Sequence, residues 1–596
     1  MKEFIEKLQF SIDKTIKGLN IMCEVNRKEF FILLIANLML GLLPPLNLYI
    51  YKLFIDELTQ IISSENYIFN NLFLILLIYV SMKILTRIML QIKDYISFKF
   101  FTEMDKYFTN NITRKISRIS MEDFESTETY NLIQMSYENS LVKNKQVLEI
   151  TMDLIKSIIT FTGVSLIIIQ LSLICFILCI ISVIPIFYNE MVVLESMYEE
   201  YNKQFSGLRY IQKLKLNLIN YNWLIETKIF NSADYILKKI IQIYDKNLSN
   251  NLKIKLKYLK KANILIWIDE IIVGIISVII IKISIEKKGS IGSIIMYFQS
   301  ANTLKETVSN ILSSFQGSYE NSLYLDKYFS LMGIKEDITE GEVLGELEKV
   351  HFENVFFKYP DSEEMVIRNF NFIFKSNRSY GIVGMNGAGK TSLIKLLAGL
   401  YKPSDGKIYA NDIDFDLINK KQYYKKINLV QQDFNKYPLS IRENISIGNK
   451  NLSNEKLATD NEIKYIMDKV DLSKKIQSMN FDKILSKDMD EGVEISGGEW
   501  QKLAIMRALY KPKDILILDE PTASIDSLSE ANLFNNLKKM DEIKIKILIT
   551  HRLINLKFVD EILVLDDGEL IDYGTHDYLI ENNKLYKDLY NSQFNI

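Results

Sequence analysis

Hydrophobic positions form long uninterrupted runs in the first half of the chain and shorter, interrupted runs in the second half. A helix needs about 20 predominantly apolar residues to cross the roughly 30 Å of hydrocarbon in a membrane. The uncharged stretch 158–187 is too long for one such helix, so we interpret it as a tight hairpin of two helices. The other predicted spans are residues 30–51, 68–82, 264–281 and, more weakly, 291–311, which brings the total to six.

Two long polar stretches separate the second span from the third and the fourth span from the fifth. Both lack proline and keep helical spacing, which indicates membrane helices that extend far beyond the bilayer and return. Lys and Arg concentrate in these stretches and at the N-terminus, so the positive-inside rule places both stretches and both termini in the cytoplasm. Apolar residues recur at helical spacing among lysines near the N-terminus, which predicts an amphipathic helix over residues 1–28 on the inner membrane surface.

Two adjacent acidic residues, Asp269 and Glu270, lie within the fifth predicted span. Charged groups at membrane depth are costly, so these two are expected to face a cavity or a partner. Three interpretations stay open: contact with a cationic substrate, a structural hydrogen bond between helices, and placement near the cytoplasmic end of the cavity. The cysteines Cys23, Cys175 and Cys179 match no disulfide or metal-binding spacing, and we interpret the last two as packing residues of an apolar run.

The chain of 596 residues is long enough for a membrane domain followed by a soluble domain, and the change occurs near residue 335. Its mean hydropathy of +0.04 averages over these two parts. The formal net charge of -2 gives no indication of a nucleic-acid partner. We therefore predict an N-terminal amphipathic helix at 1–28, a transmembrane domain at 29–330, a linker at 331–346 and a soluble α/β domain at 347–596.

A glycine-rich loop follows the β-rich run 379–383 and precedes the helical run 392–400. This order of strand, loop and helix is typical of a phosphate-binding site, because the glycines let backbone N–H groups point inward and the helix N-terminus adds partial positive charge. Lys390 is expected to reach the β- and γ-phosphates of a nucleotide, and Thr391 is expected to hold Mg²⁺. The predicted nucleotide contacts of this loop are Gly384, Asn386, Gly387, Ala388, Gly389, Lys390, Thr391 and Ser392.

The second motif is acidic and follows residues 515–518. This continuous apolar run predicts a buried parallel strand. Such a strand would deliver Asp519 to its C-terminal end, where Mg²⁺ would lie. The next residue, Glu520, would orient the attacking water, since phosphoryl transfer depends on positioning and charge stabilisation more than on covalent chemistry.

Between these two motifs lies the signature Ile495-Ser-Gly-Gly-Glu499, and with it the chain resembles an ATP-binding-cassette (ABC) exporter along essentially its whole length. The resemblance implies an all-α membrane domain of six transmembrane helices with long cytoplasmic extensions, followed by an α/β P-loop ATPase domain that binds ATP and Mg²⁺. It implies that Asp519 binds Mg²⁺ and that Glu520 is the catalytic base, assisted by Lys390. By the same resemblance, Tyr359 stacks on adenine, the catalytic Gln432 links Mg²⁺ to the membrane domain, and the catalytic His551 contacts the γ-phosphate. Ser496, Gly497 and Gly498 cap the γ-phosphate of the ATP held by the other subunit. Asp526 lies in the loop that joins the two sites.

The signature departs from the Leu-Ser-Gly-Gly-Gln pattern of the family at Ile495 and Glu499. The first change is a mild apolar replacement. The second places a carboxylate near a triphosphate, so we expect Glu499 to face a basic neighbour, and we expect Glu499→Gln to retain ATPase activity.

Fusion of six spans and one ATPase domain resembles a half-transporter, which implies a second half-transporter subunit. Because Glu520 and His551 are both present, a homodimer would have two competent sites. Four segments, 121–131, 226–231, 433–445 and 498–504, resemble bacterial lantibiotic and bacteriocin exporters, the first two matching their coupling segments. The resemblance implies ATP-driven export of a peptide across the cytoplasmic membrane by alternating access. The alternative is an exporter of lipids or small hydrophobic drugs, which shares every ATPase residue.

The cavity would separate these alternatives, because acidic walls favour a cationic peptide and apolar side openings favour membrane lipid. The segment before the first span is too short for a leader-cutting cysteine-peptidase domain, so a separate leader peptidase or modification enzymes would process the substrate. The predicted spans argue against a soluble ABC protein acting on DNA or ribosomes.

Overall fold

The computed structural model describes residues 2–64, 69–337, 341–360, 362–448, 457–470, 474–477, 479–521, 525 and 527–594. These residues form two compact units, a membrane unit and an ATPase unit. The membrane unit comprises Met1–Arg114 and Leu132–Gly333, and the ATPase unit comprises Lys115–Asn131 and Ile334–Ile596. The division after Gly333 falls inside the predicted linker 331–346.

The described residues up to Gly333 are almost entirely helical, and most of the helices are long. They are α1 (Lys2–Val25), α2 (Arg27–Ser64), α3 (Asn70–Ile116), α4 (Met121–Glu125), α5 (Thr127–Leu171), α6 (Leu173–Ile219), α7 (Tyr221–Ile229), α8 (Ala233–Glu286) and α9 (Ile291–Gly333). The predicted hairpin is confirmed, because α5 ends at Leu171, α6 begins at Leu173, and the ring centres of Phe161 on α5 and Phe176 on α6 lie 6.2 Å apart. Ser172 makes the break possible by accepting a hydrogen bond from the Cys175 backbone N–H at 3.5 Å, as a helix N-cap does.

Five helices among the described residues are long and apolar enough to cross a membrane: they lie in α2, α3, α5, α6 and α8. The sixth predicted span, 291–311, is helical as part of α9 but is not among these five. Its apolar positions alternate with Ser, Asn, Gln and the charged Lys305 and Glu306. The crossing by α9 therefore stays a prediction.

Apolar residues of α2, α5, α6, α8 and α9 share one core in the membrane unit. Cys175 and Cys179 are fully buried in it, which confirms their interpretation as packing residues. Asp269 of α8 lies 2.8 Å from the ammonium group of Lys305 on α9, and each of these two side chains is 15% exposed. The structural interpretation thus holds for Asp269, whereas Glu270 is exposed.

The predicted N-terminal amphipathic helix is observed as α1, and three of its polar residues, Ser11, Lys14 and Thr15, contact α9. Thr15 and Ser318 share a hydroxyl–hydroxyl bond of 2.7 Å, and Lys14 pairs with Asp326 at 2.7 Å. Ile12 and Ile16, on the other side of α1, stay exposed. A position on the membrane surface would cover these two residues, and it stays a prediction.

The ATPase unit is an α/β structure with two sheets. Its strands are β1 (Lys349–Phe357), β2 (Ile367–Lys375), β3 (Arg378–Gly384), β4 (Asp405–Ala410), β5 (Ile413–Asp414), β6 (Ile427–Val430), β7 (Ile515–Asp519), β8 (Ile545–Ile549), β9 (Glu561–Asp566) and β10 (Glu569–Gly574). One sheet has the order β2-β1-β4-β5, with antiparallel pairs. The other has the order β10-β9-β3-β8-β7-β6, and its neighbours from β9 to β6 are parallel.

The described helices of this unit are α10 (Lys390–Leu397), α11 (Lys420–Tyr424), α12 (Ile441–Ser446), α13 (Asp460–Val470), α14 (Lys474–Gln477), α15 (Gly497–Leu509), α16 (Ser527–Lys538), α17 (His576–Asn582) and α18 (Lys584–Phe594). Among them, α10, α11, α15 and α17 contact strands of the second sheet directly. All five residues of β7 are buried, as its continuous apolar run predicted. Because β3, β7 and β8 are parallel, the segments that follow their C-terminal ends meet at one edge of the sheet.

Candidate functional site

The phosphate-binding loop leaves β3 at Gly384 and enters α10 at Lys390, in the predicted order of strand, loop and helix. Gly387 has φ of 86° and Gly389 has φ of 89°, a left-handed conformation that side-chain-bearing residues rarely adopt. A Cβ at Gly389 would lie 2.8 Å from the Val366 carbonyl oxygen, so this position accepts only glycine. The loop therefore has the curvature that directs N–H groups towards a bound phosphate.

Lys390 is buried and folds back over this loop. Its ammonium group donates to the carbonyl oxygens of Gly384 and Met385, each at 2.9 Å. Burial lowers the pKa of Lys390, and the carboxylates of Glu520 and Asp519 oppose that effect. The cation is thus held at the loop, next to the acids that follow β7.

Asp519 ends β7 and is only 4% exposed. The Thr391 hydroxyl donates to its carboxylate, while burial and the neighbouring Glu520 charge raise the pKa of Asp519 to about 6. A buried carboxylate beside a second acid and a hydroxyl is an oxygen-donor set suited to a hard cation. Mg²⁺ usually takes one or two protein oxygens and completes its shell with water and phosphate, so the residues present fit this ion.

Glu520 is held from both sides. Gln432 Nε2 donates to Glu520 Oε2 at 3.0 Å, and His551 Nε2 lies 2.8 Å from Glu520 Oε1. The Glu520 backbone has φ of 49°, a costly conformation for a residue with a side chain, and its N–H donates to the Ile549 carbonyl oxygen at 3.0 Å. The turn at this residue brings its carboxylate to the same edge as Asp519.

Two supporting residues were missed by sequence reasoning. Gln501 of α15 donates to the Glu520 carbonyl oxygen at 3.2 Å. Gln593 of α18 donates to the His551 carbonyl oxygen and accepts from the Leu553 N–H at 2.9 Å. The Trp-Gln pair after the signature pointed towards Gln501, but no local pattern marks Gln593, which reaches the site from the end of the chain.

Tyr359 lies beside the start of α10. Its hydroxyl is 3.0 Å from Ser392 Oγ, and the Lys395 ammonium group lies 5.0 Å from the centre of its ring. The ring also packs edge-on against Tyr401, with 5.6 Å between ring centres. The structure thus places Tyr359 next to the phosphate-binding segment, whereas its stacking on adenine stays a prediction.

The signature residues lie at the N-terminus of α15, where Ser496 is the N-cap. Glu499 Oε2 accepts from the Ser496 N–H at 2.9 Å and from the Ser496 hydroxyl at 3.0 Å, and the Glu499 N–H donates back at 3.3 Å. This reciprocal arrangement is a capping box. The cap of its own helix is therefore one partner of Glu499, and the basic neighbour expected from the sequence stays a prediction.

The structure therefore brings the residues of one half-site together at the sheet edge: Lys390, Thr391, Gln432, Asp519, Glu520 and His551. Tyr359 and Ser392 form the adjoining pair, and Asn386 is exposed on the loop. Ser496, Gly497 and Gly498 form a separate surface at the start of α15. Asp526 lies outside the described residues.

The first predicted coupling segment belongs to the ATPase unit. The Tyr401 hydroxyl donates to Glu125, and the Lys402 N–H donates to Glu122 Oε1 at 2.7 Å. Both acids lie on α4, so this segment is docked on the ATPase unit of its own chain. The second predicted segment, 226–231, lies in the membrane unit.

Comparison with known proteins agrees with this geometry. The profile of the ABC transporter family matches residues 367–523. The chain is 28% identical over 601 residues to the subtilin transport ATP-binding protein SpaT of Bacillus subtilis, covering 99% of this chain and 95% of that protein. This chain carries an ABC transporter ATPase domain fused to a membrane domain.

Two other similarities extend over all or nearly all of this chain. It is 26% identical over 607 residues to the nisin transport ATP-binding protein NisT of Lactococcus lactis subsp. lactis, covering 100% of this chain and 98% of that protein. Its fold is similar to that of a bacterial Atm1-family ABC exporter solved with ATP bound. That similarity has a TM-score of 0.78 at 18% identity and covers 95% of this chain and 98% of the other. The chain is thus similar in sequence to ATP-driven membrane transporters and has an Atm1-type exporter fold.

Proposed function

We propose that this chain is one half of a homodimeric exporter that moves a peptide across the cytoplasmic membrane by alternating access. The observation that carries the proposal is the extent of its similarity to the subtilin and nisin transport proteins, which reaches 99% and 100% of this chain. The ATPase domain is common to transporters of many substrates, so the membrane unit carries the information about substrate. The similarity includes that unit.

In the proposed hydrolysis, Glu520 accepts the proton of the attacking water. Gln432 and His551 hold its two carboxylate oxygens, so the base is oriented before the reaction begins. His551 is half exposed, and this leaves it able to turn towards a terminal phosphate. Gln501 and Gln593 keep the two backbone segments in place.

Bound Mg²⁺ and ATP would supply the phosphoryl group and the positive charge that stabilises its transfer. Thr391 and Asp519 would hold the metal, and Lys390 would move from the Gly384 and Met385 carbonyl oxygens to the phosphates. The loss of two 2.9 Å hydrogen bonds within the loop would then be offset by contacts with negative charge.

Two copies are needed in this proposal, because Ser496, Gly497 and Gly498 would cap the nucleotide held by the other subunit. The second coupling segment supports the same assembly. Trp223 of α7 is 54% exposed, and Ile229 and Phe230 at its end are 74% and 75% exposed. Exposed apolar side chains of this size are typical of an interaction surface, and docking on the partner's ATPase unit would cover them.

Closure of the two ATPase units would move α4 and thereby turn the membrane cavity outward, with both termini in the cytoplasm. Within one chain, Tyr359 packs against Tyr401, and Tyr401 donates to Glu125 of α4. This contact series joins the predicted adenine site to the coupling helix through a single intermediate side chain. A nucleotide that binds the closed state more tightly would drive the change as a population shift.

The experiment that tests peptide export is mass spectrometry of culture supernatant from hosts that carry the unaltered chain or Glu520→Gln. We expect one peptide to disappear from the supernatant of the variant while its precursor accumulates in the cells. The matched control is Glu569→Gln, which alters an exposed glutamate of the same unit. Unchanged secreted peptides would contradict the proposal and favour export of lipids or small hydrophobic drugs.

A further inference from the structure

A cavity of about 800 Å³ lies within the membrane unit between α6, α8 and α9. On α6 its lining begins at Asn189, just after the uncharged stretch ends. On α8 the lining ends at Asn263, just before the apolar span begins, and on α9 it runs from Gln316 to Tyr324, beyond the predicted span. The cavity therefore lies where all three helices leave their apolar segments, on the predicted cytoplasmic side.

Aromatic side chains form much of the cavity wall. Tyr324 packs edge-on against Tyr198 and Tyr201, with ring centres 6.2 Å and 6.5 Å apart, and Tyr258 lines the α8 side. Further apolar lining comes from Val193, Leu194, Met197 and Leu259. Such a wall accepts aromatic and aliphatic groups, and the ring faces attract cations.

The charged lining residues are Glu190 and Glu320, opposed by Lys255. Acidic side chains thus outnumber basic ones, and their charge attracts a cation and disfavours a phosphate or another anion. A negatively charged lipid headgroup is therefore a poor fit. Lys and Arg side chains, which combine an apolar stem with a cationic end, match both the rings and the carboxylates.

Asn189 adds a buried polar group to the cavity wall. Its side chain is 3% exposed and lines the cavity, and its Oδ1 atom has no hydrogen-bond partner among the described residues. An unpaired buried acceptor is costly and rare in folded proteins. Rotation of the side chain into the cavity would let a ligand N–H group satisfy it, and a peptide backbone offers such a group at every residue other than proline.

We propose that the cavity between α6, α8 and α9 is the binding site for a cationic segment of the exported peptide. Glu190 and Glu320 would pair with Lys or Arg side chains, the tyrosines would pack on neighbouring apolar groups, and Asn189 would accept an N–H. The assignment rests on the proposed export of a peptide, and it adds where the peptide binds and which chemistry selects it.

The test uses the full chain in phosphatidylcholine nanodiscs and two labelled synthetic peptides, one of alternating Lys and Phe and one of alternating Glu and Phe. We expect the Lys–Phe peptide to bind more tightly than the Glu–Phe peptide. Glu190→Gln with Glu320→Gln should weaken binding of the Lys–Phe peptide at least about 10-fold, because charge-assisted hydrogen bonds are lost. Glu199→Gln, an exposed glutamate of α6 outside the cavity, is the matched control. Equal binding by the double variant and the control would overturn the proposal.

A second variant separates a binding role from a structural one. Asn189→Leu removes the unpaired acceptor while keeping the approximate volume, so the midpoint of thermal unfolding should stay the same or rise. Binding of the Lys–Phe peptide should nevertheless weaken several-fold. A lower midpoint with unchanged binding would assign Asn189 a structural role and overturn its part in the site.

Secretion by the host separates failure of this site from failure of peptide export. Suppose that Glu520→Gln abolishes secretion of a peptide and the double carboxylate variant secretes it normally. Peptide export would then stand and the cavity assignment would fall. If secretion is unchanged in Glu520→Gln, peptide export itself would fall, and the cavity would lose its role as an export site. Loss of secretion in both variants, with normal ATPase activity in the carboxylate variant, is the result we expect.

Discussion

Two Asp-Glu pairs that lie next to apolar runs, Asp519-Glu520 in the ATPase unit and Asp269-Glu270 in the membrane unit, are used differently by the fold. In the first pair both acids reach one site: Asp519 meets Thr391, and Glu520 meets Gln432 and His551. In the second pair Asp269 is buried against Lys305 and Glu270 is exposed.

The backbone explains this difference. Successive side chains on a helix are separated by about 100° around its axis, so Asp269 and Glu270 cannot both face Lys305. Successive side chains on a strand point to opposite faces, and Asp519 and Glu520 would also diverge if the strand continued. The left-handed turn at Glu520, with φ of 49°, redirects the second acid to the site of the first. Convergence of adjacent acids thus depends on a strained residue at a strand end.

The partners of each acid also differ in kind. Glu520 is surrounded by groups that can exchange its hydrogen bonds for contacts with water, which suits a base. Asp269 has a fixed cation across a helix interface, which suits a structural pair. An Asp-Glu pair therefore indicates a catalytic base only where its hydrogen-bond partners can be exchanged for contacts with water.

The largest effect is expected from Glu520→Gln. The variant keeps the size and hydrogen-bonding ability of the side chain and loses the proton acceptor, so ATP hydrolysis should fall by about 10² to 10⁴-fold. ATP binding should remain. Hydrolysis and nucleotide retention by the purified chain in nanodiscs would be measured side by side, and near-normal turnover would show that another group is the base.

Asp269→Asn should have the next largest effect, on folding rather than on hydrolysis. It leaves the Lys305 charge buried without a counter-ion, and removing one partner of a buried pair typically costs about 3–5 kcal/mol. The midpoint of thermal unfolding should fall, and Asp269→Asn combined with Lys305→Met should restore most of it. Glu270→Gln is the control and should change stability by less than about 0.5 kcal/mol. Equal effects at both acids would contradict the contrast drawn between them.

Asp519→Asn should stabilise the nucleotide-free chain at neutral pH while abolishing its response to Mg²⁺ and ATP. The folded pKa of Asp519 is about 6 and its ordinary value is 3.8, so the folded state binds this proton more tightly. The associated stability is complete below pH 3.8 and is lost as the pH rises through 6. The Asn variant should therefore gain at most about 3 kcal/mol relative to the unaltered chain above pH 6.

Unfolding midpoints of both proteins at pH 4.5 and pH 7.5 would measure this gain. A difference between variant and unaltered chain that is the same at both values would show that Asp519 does not titrate in this range. Addition of Mg²⁺ and ATP should raise the midpoint of the unaltered chain only.

Glu499→Gln should have the smallest effect. Glutamine at the third helical position also completes a capping box, so Ser496 should keep its bonds and the start of α15 its structure. We expect stability within about 0.5 kcal/mol of the unaltered chain and ATPase activity of the same order. Steady-state hydrolysis over a range of ATP concentrations would detect a changed apparent affinity, and loss of turnover would show that this acid has a specific role.

Much of the fold could be predicted from local patterns. The apolar runs predicted α2, α3, α5, α6 and α8, and the uncharged stretch 158–187 predicted the hairpin at Ser172. Run length and the absence of charge determine whether a segment can cross a membrane, and both are visible in the sequence. The weaker pattern at 291–311 reflects polar residues of α9 such as Lys305, which pairs with Asp269 of α8.

In the ATPase site, too, some residues could be predicted from local sequence patterns and others could not. Glycine spacing and the strand-loop-helix order identified Gly384 to Ser392, because the backbone conformation of such a loop is a local property. Gln593, by contrast, contacts a residue 42 positions earlier in the chain, and Glu520 accepts from Gln432, which lies 88 positions earlier. These contacts depend on which elements become neighbours.

The sequence by itself determined where the chain can cross a membrane, which loop can cradle phosphate and which motif supplies the acids, since these follow from hydropathy, spacing and backbone freedom. Only the tertiary structure decided that Gln432 and His551 hold Glu520, that Lys305 neutralises Asp269, and that Asn189 faces a cavity with Glu190 and Glu320. The physical reason is that a side chain's partners are set by the order of strands and the packing of helices, which bring together residues far apart in the chain.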